Sequence, residues 1–283
     1  MTETKKNPLH TASRGKNAWT HVLLIIFSIV SLFPVVWIIL SSFKLGGDLF
    51  DWPPSFFPKV WTLDNYIDAF ETGNFGRYIN NTIFVAVTST ILTVVINIMC
   101  GYAFAKYQFK GSRTFFMLFI ATLMLPLEIL MIPIFQVISN LGLYNKFAGI
   151  IIPPAATPTG VFIARQFFLS VPTELMESAR IDGAGETRIF TNIMLPIARP
   201  VISMLTIFSF MWRWNDYLWP LLVIRDTDKY TLQLALANFN GQYSVDWSSL
   251  LSMSVISMIP VLIIFLIFQK QFVEGTVTTG LKA

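Results

Sequence analysis

The sequence predicts an all-α integral membrane protein with six transmembrane helices and a structured cytoplasmic loop between the fourth and fifth. Hydrophobic residues make up 54% of its 283 residues and charged residues only 13%, about half of the ~25% usual in soluble domains. Apolar runs of 17 to 27 residues recur along the chain, and helices of about this length cross a hydrocarbon core. The runs are continuous rather than alternating, which favours helices over barrel strands.

Six runs are predicted to span the membrane: 22–43, 79–105, 115–137, 148–164, 201–224 and 250–268. The first follows a basic segment as a signal peptide would, but it is too long for one and no small-residue cleavage site follows. The fourth is interrupted by Pro153, Pro154 and Pro158. Residues 1–20 are polar and without periodicity, so we expect them to be disordered. Residues 21–270 then form the transmembrane domain and 271–283 a cytoplasmic tail.

The lysine and arginine distribution sets the predicted orientation. With the N-terminus inside, 13 of the 20 basic residues fall in cytoplasmic segments and 6 in outer ones. Both termini are therefore expected in the cytoplasm, with long outer loops at 44–78 and 225–246. The net charge of +4 is explained by topology, so we expect no nucleic-acid partner. The single cysteine, Cys100, allows no disulfide within the chain.

The longest inner loop, 170–199, predicts two short helices joined by a turn. Pro172 suits a first helical turn, because its missing N–H costs nothing there, and acidic residues follow it near the positive end of the helix dipole. Glycines then end the first helix, and a second helix buries apolar residues before the chain returns to the membrane. The residues that mark these features are Pro172, Glu174, Glu177, Gly183, Gly185, Glu186, Ile189, Phe190, Ile193, Pro196 and Pro200.

The apolar side chains of this loop predict a docking surface. We expect Leu175, Met176 and Ile189 to be buried in a cleft of another protein, because burial stabilises by about 25 cal/mol per Å². A carboxylate at the rim would select a basic partner. The alternative is an amphipathic helix lying on lipid headgroups, but the polar face has few basic residues.

The same loop carries the pattern on which a family resemblance rests. Glu177-Ser178-Ala179 is followed after three residues by Gly183, and after nine more by Ile193-Met-Leu195-Pro196. This is similar to the pattern Glu-Ala-Ala, three residues, Gly, nine residues, Ile-x-Leu-Pro of binding-protein-dependent ABC importer permeases, with serine for the middle alanine. The runs 141–143, 180–184, 214–220 and 269–282 resemble the carbohydrate-uptake branch, and in it the smaller permease of maltose-type systems.

The resemblance implies that the chain forms half of the translocation pathway for a carbohydrate. It would pair with a second permease subunit in the lipid bilayer of a bacterial or archaeal cytoplasmic membrane. Two copies of an ABC ATPase would each receive one coupling helix, and an extracytoplasmic solute-binding protein would deliver the sugar. ATP and magnesium would bind to the ATPase, since this chain has no Gly-x4-Gly-Lys-Ser/Thr run. We expect no catalytic residue, cofactor or metal in this chain.

The resemblance also assigns residues. It implies ATPase coupling through a helix carrying Glu177, Ser178, Ala179, Asp182, Gly183, Ile193, Leu195 and Pro196. Glu177 would make a charged contact with the ATPase, and Gly183 would allow the sharp turn. In the outer loop 225–246, it implies contact with the binding protein at Asn238, Phe239, Asn240 and Gly241. The tail, 272–283, would insert between the ATPases.

Polar residues inside the predicted spans are further candidates, because ionisable groups are costly in a membrane. They are Glu128, Arg213, Asn215 and Asp216 as pathway residues, and Asn80, Asn81 and Asn97 as interhelical hydrogen-bond donors. Glu128 is expected to be buried, either as a proton or ion site or as a partner of backbone freed by neighbouring prolines. Arg213 and Asp216 are three residues apart and can pair or contact sugar.

Two other functions compete with the ABC permease. An ion-coupled secondary sugar carrier would suit Glu128 and the broken fourth helix, but it gives no account of the loop 177–196. An intramembrane enzyme lacks a nucleophile–base pair or a ligand cluster, since His10 and His21 lie outside the apolar runs.

Overall fold

The computed structural model describes residues 14–71, 73–238 and 246–280, and all regular elements in these ranges are helical. The α-helices are α1 Arg14–Ser41, α2 Asp64–Glu71, α3 Phe75–Lys106, α4 Ser112–Ala121, α5 Leu127–Asn140, α6 Phe147–Ile151, α7 Pro158–Ser170, α8 Glu174–Ile181, α9 Glu186–Ile189, α10 Leu195–Ile197, α11 Arg199–Trp214, α12 Leu218–Val223, α13 Leu232–Asn238 and α14 Trp247–Gly280. Short 3-10 turns and one π-helical turn, Phe190–Met194, connect them.

Four segments of the described chain are long and apolar enough to cross a membrane, and two bent helix pairs raise the number to six if each pair is one span. The straight segments are Trp19–Ser41, Phe75–Lys106, Phe147–Ser170 and Trp247–Phe268. The bent pairs are Ser112–Met124 with Leu127–Asn140, and Glu186–Ile197 with Arg199–Trp214. The all-helical membrane fold is confirmed, whereas six uninterrupted helices are not found.

The predicted third span, 115–137, is not one helix. Its two halves meet at an angle of 114°, because Pro126 has no N–H to continue the helix and disfavours helical geometry in the preceding residue. Leu125 is accordingly extended, with φ −93° and ψ 127°. The bend places Glu128 in the first turn of α5.

The predicted fifth span, 201–224, is also interrupted, since α11 ends at Trp214 and α12 begins at Leu218. Asp216 lies in the break, and its Oδ1 accepts the backbone N–H of Trp219 at 3.3 Å. That bond satisfies one of the donors that a new helix start leaves without an intrahelical partner.

Both ends of the predicted membrane domain extend as helix. α1 begins at Arg14, within the segment 1–20 that the sequence predicts to be disordered, and residues 1–13 lie outside the described ranges. α14 continues through 271 to Gly280, with no boundary where the sequence predicted a separate tail. Each residue added to an existing helix gains a hydrogen bond without a new nucleation cost.

The chain divides into two compact units, Met1–Asp68 with Trp247–Val255, and Ala69–Asp246 with Ile256–Ala283. In the second unit, α3 packs along α7 and α11. The α3–α7 contact requires glycine, because a Cβ at Gly101 would lie 2.4 Å from the Cβ of Ala164. Small residues allow this close backbone approach between membrane helices. The second unit holds the loop 170–199 and the described part of the loop 225–246.

Candidate functional site

The loop after α7 folds as two short helices, α8 and α9, with a turn at Gly183. Gly183 has φ +81°, a left-handed conformation that costs a residue with a Cβ roughly 1–2 kcal/mol. Its N–H donates to Arg180 O at 3.0 Å, and the Ala184 N–H donates to Ala179 O at 2.9 Å. This pair of bonds is the Schellman motif. The predicted turn glycine is confirmed, and its conformation fixes the direction in which the chain leaves α8.

A cluster of polar contacts ties this turn to the C-terminal end of α3. Glu186 accepts from Arg180 Nε at 2.7 Å and from a second guanidinium nitrogen at 3.2 Å, and the Tyr107 hydroxyl also donates to Glu186. The hydrogen bond from Arg180 holds the pKa of the Glu186 carboxyl below its usual range. Burial, followed by the bond to Glu186, raises the pKa of Tyr107. Lys106 donates to Val171 O, so two adjacent residues at the end of α3 hold the loop.

The sequence predicted that Leu175, Met176 and Ile189 form an apolar docking surface, and this prediction is wrong for Met176 and Ile189. Met176 is 1% exposed and Ile189 is 0% exposed, because both join the chain's own core beside Tyr102 and Phe168. Leu175 is 41% exposed and remains available. Ile181, which the sequence analysis missed, is 86% exposed. The apolar stripe of α8 consists of Leu175, Met176 and Ala179. Ile181 lies outside this stripe, and its position in the sequence therefore indicated that it is on the opposite face of the helix.

The eight residues assigned to ATPase coupling divide into two groups. Glu177, Ser178, Asp182, Gly183 and Pro196 are exposed, whereas Ala179 is buried and Ile193 and Leu195 are partly buried against the core. The second group therefore shapes the loop from inside. Glu177 forms no ion pair within the described chain, so its carboxylate is available to another protein.

The described part of the loop 225–246 is held at the N-terminal end of α3. Asn81 Nδ2 donates to Asp228 O at 2.9 Å and to Tyr230 O at 3.0 Å, so this predicted interhelical donor binds loop carbonyls instead, and Arg77 pairs with Asp228. α13 is anchored by its buried leucines. Asn238 ends α13 and is exposed. The other predicted binding-protein contacts, Phe239, Asn240 and Gly241, lie outside the described residues.

The polar residues predicted in the membrane have different surroundings. Arg213 Nη1 lies 3.6 Å from Asp216 Oδ2, with the side chains 11% and 19% exposed, so the predicted pair is confirmed. Asn215 Nδ2 donates to Met211 O at 2.9 Å. Glu128 is exposed rather than buried, since the bend at Pro126 moves it to the start of α5. A carboxylate is favourable there because it faces the positive end of the helix dipole.

A cavity of about 340 Å³ lies between α3, α7 and α11. Its lining residues are Thr93, Asn97, Thr157, Thr159, Gly160, Ile163, Leu205, Phe208, Ser209, Trp212 and Arg213. Asn97 is the predicted interhelical donor and bonds to Thr157 Oγ1 at 2.8 Å. A Cβ at Gly160 would lie 2.1 Å from Asn97 Nδ2. The sequence analysis did not find this cavity, because its residues come from three separated helices.

Comparison with known proteins gives the family. Residues 97–277 match the family described as binding-protein-dependent transport system inner membrane component. The chain belongs to this family. The permease is 38% identical over 256 residues to the arabinooligosaccharides transport system permease protein AraQ of Halalkalibacterium halodurans, with 89% of this chain and 92% of the relative covered. It is 34% identical over 274 residues to the diacetylchitobiose uptake system permease protein NgcG of Streptomyces coelicolor, with 95% and 90% covered.

A solved structure shares the fold of the permease. It is a bacterial ABC transporter involved in the import of the acidic polysaccharide alginate, and one of its chains matches with a TM-score of 0.83 and 26% identity, covering 93% of this chain and 99% of that chain. The chain is therefore a membrane permease component of an ABC importer. The ion-coupled secondary carrier is excluded as its function.

Proposed function

We propose that this permease forms half of an inward pathway for a carbohydrate and that the α8–α9 loop receives the movement of a separate ATPase. The cargo class is supported by the names of the relatives, which transport arabinooligosaccharides and diacetylchitobiose. The remaining parts of the machine are a second permease subunit, two ATPase subunits that bind ATP and magnesium, and an extracytoplasmic binding protein. Six spans with both termini in the cytoplasm fit this arrangement and the basic-residue distribution.

The observation that carries the coupling proposal is the position of the loop on α3. The inner end of α3 holds α8 and α9 through Lys106 and Tyr107, and its outer end holds the outer loop through Arg77 and Asn81. α3 has 32 residues, which corresponds to about 48 Å of helix. A displacement of the loop therefore acts on one helix long enough to cross the bilayer, as a rigid-body switch between inward- and outward-facing states requires.

The exposed surface of the loop determines what the ATPase contacts. Glu177 presents a carboxylate with no ion-pair partner in the described chain, and Leu175 and Ile181 present apolar side chains. A groove with a basic residue at its rim would complement this surface. Asn238 at the end of α13 is the described residue that we assign to the binding-protein contact outside.

The test uses the complete complex in lipid vesicles, with ATP-dependent uptake measured for arabinooligosaccharides, diacetylchitobiose and alginate oligosaccharides. Glu177→Lys is expected to lower both uptake and binding-protein-stimulated ATP hydrolysis at least tenfold, because it places like charges together at the contact. Glu177→Gln and Glu174→Gln are the matched pair, since each removes one exposed carboxylate of the same helix without placing a second cation beside Lys106, which lies near Glu174; only Glu177→Gln is expected to lower uptake. Equal uptake by both variants contradicts the coupling role of Glu177, and uptake of none of the three carbohydrates by the wild type contradicts the cargo class.

A further inference from the structure

The α1–α2 loop, residues 42–63, is closed at its base by polar contacts. The Thr62 N–H donates to Phe43 O at 3.1 Å. Asn65 Nδ2 donates to Ser42 O at 2.9 Å, and the Asn65 side chain is buried. The two ends of the loop therefore meet, and the residues between them form a unit of their own beside α1.

One ring of this loop lies against the side of α1, short of the end of that helix. The ring centroid of Phe56 is 5.9 Å from that of Phe33 and 5.8 Å from that of Trp37. Phe33 precedes Ser41, the last residue of α1, by eight positions, which corresponds to about 12 Å along the helix axis. Since the segment Trp19–Ser41 is long and apolar enough to cross a membrane, the Phe56 ring lies within the depth of the span rather than beyond its end.

The tip of the loop, residues 50–57, also carries three exposed aromatic rings. Trp52 is 90% exposed, Phe50 is 70% exposed and Phe57 is 63% exposed. Phe57 is next to Phe56 in the sequence, and their ring centroids are 5.1 Å apart, so the contact of Phe56 with α1 holds the exposed rings close to the end of the span. Aromatic side chains, tryptophan above all, are enriched at the boundary between membrane and water.

The charged groups around the tip are paired within the loop. Lys59 forms an ion pair with Asp51. Lys44 is 2% exposed, donates from Nζ to Ser55 O at 2.6 Å and lies over the ring of Trp37 at 4.6 Å from its centroid. Ionisable side chains at membrane depth are paired with one another or with backbone carbonyls in this way. The tip therefore approaches the membrane without bringing an isolated charge with it.

The backbone of the tip requires water, which places it in the interfacial layer rather than in the hydrocarbon core. Residues 51–63 form no helix, and irregular backbone does not occur exposed to lipid within the hydrocarbon region. Pro53, Pro54 and Pro58 have no N–H, so fewer donors need a partner. A protein partner would have to bond the remaining backbone groups one by one, whereas interfacial water does so without a matched surface.

We propose that the tip of the α1–α2 loop is a membrane anchor that inserts Phe50, Trp52 and Phe57 into the phospholipid headgroup layer at the C-terminal end of α1. Phe56 sets the depth of the anchor through its contact with α1. Interfacial aromatic anchors fix the tilt and rotation of a membrane helix, so the anchor holds the end of α1 in place. The inference goes beyond the proposed function and does not depend on the cargo or on the coupling loop.

Photocross-linking identifies what covers the tip. Trp52→p-benzoylphenylalanine keeps an aromatic side chain, and the complete complex is reconstituted in vesicles of phosphatidylglycerol and tritium-labelled phosphatidylethanolamine. The expected main product is the permease joined to labelled phospholipid, at least tenfold above the label obtained with Glu174→p-benzoylphenylalanine, which changes an exposed residue of α8. A main product joined to the second permease or to the binding protein, or a lipid label no higher than at Glu174, overturns the anchor.

Two further variants test whether Phe56 sets the depth. In the Trp52→p-benzoylphenylalanine background, Phe56→Ala is expected to lower the lipid label at least threefold, because the tip loses its contact with α1. Phe27→Ala removes a ring that is exposed on the same helix, and its lipid label is expected to be unchanged. Equal labels in the two variants overturn the role of Phe56. The label is measured without ATP or cargo, so its outcome is independent of the uptake test of the proposed function.

Discussion

Replacement of Gly183 by alanine isolates the contribution of the turn after α8. No atom lies within 4 Å of the position of a new Cβ, so the substitution causes no clash. Its cost is the left-handed backbone conformation, at φ +81°, which amounts to roughly 1–2 kcal/mol for a residue with a Cβ. The local native turn is then depopulated by a factor of roughly 5–30, and α9 loses its fixed direction.

The chain offers two matched controls for this substitution. Gly142, after α5, has φ +66° and also no atom within 4 Å of a Cβ. Its turn has the same pair of bonds, from Gly142 N–H to Ser139 O and from Leu143 N–H to Ile138 O. Gly185 also has open space around a Cβ, but its φ is −71°, so alanine there causes no backbone strain.

The assay is the number of sugar molecules taken up per ATP hydrolysed by the reconstituted complex. Gly183→Ala is expected to lower this ratio, because the ATPase moves a loop that no longer has one orientation. Gly142→Ala is expected to lower the melting temperature by a similar amount and keep the ratio, and Gly185→Ala to change neither. An unchanged ratio in Gly183→Ala, with a melting temperature as low as that of Gly142→Ala, would refute the reasoning.

Two further predictions separate surface from core in the same unit. Ile181 is 86% exposed, so Ile181→Ser is expected to leave the melting temperature of the permease unchanged and to weaken its association with the ATPase. Met176 is 1% exposed, so Met176→Ser is expected to destabilise the permease by about 2–5 kcal/mol. Thermal unfolding measures the stability of each variant, and an ATPase pull-down measures its association. Gly101→Ala is expected to destabilise the α3–α7 contact by about 1–3 kcal/mol, because the new Cβ would lie 2.4 Å from that of Ala164. The control is Gly47→Ala, because a Cβ at Gly47 would meet no atom within 4 Å. A melting temperature that is equal in Met176→Ser and Ile181→Ser, or in Gly101→Ala and Gly47→Ala, contradicts the corresponding prediction.

The helical elements were largely predictable because their signals are local. The length of an apolar run, the glycine at the end of α8 and the spacing from Glu177 to Pro196 each depend on residues close in the sequence. The helix starts predicted for α8 and α9 follow from the same kind of signal, since acidic residues and proline favour a first turn.

The errors came from properties that local patterns do not contain. The sequence analysis considered the prolines that neighbour Glu128, but only the structure shows that Pro126 bends the predicted third span by 114° and exposes Glu128. Met176 and Ile189 were predicted to be free for a partner, whereas they pack against residues of α3 and α7 that are distant in the sequence. Hydrophobicity identifies a side chain that will be buried, but it does not show whether the burial is within the chain or against another protein.

The dependence of uptake on ATP tests the assignment of this chain most directly. The complex of this permease, its partner permease, the ATPase and the binding protein is reconstituted in vesicles, and uptake of the three test carbohydrates is compared with ATP inside and with only a proton or sodium gradient. Uptake that needs ATP and the ATPase, and that falls with Glu177→Gln but not with Glu174→Gln, is the predicted result. Uptake by this chain alone, driven by an ion gradient, would contradict the assignment.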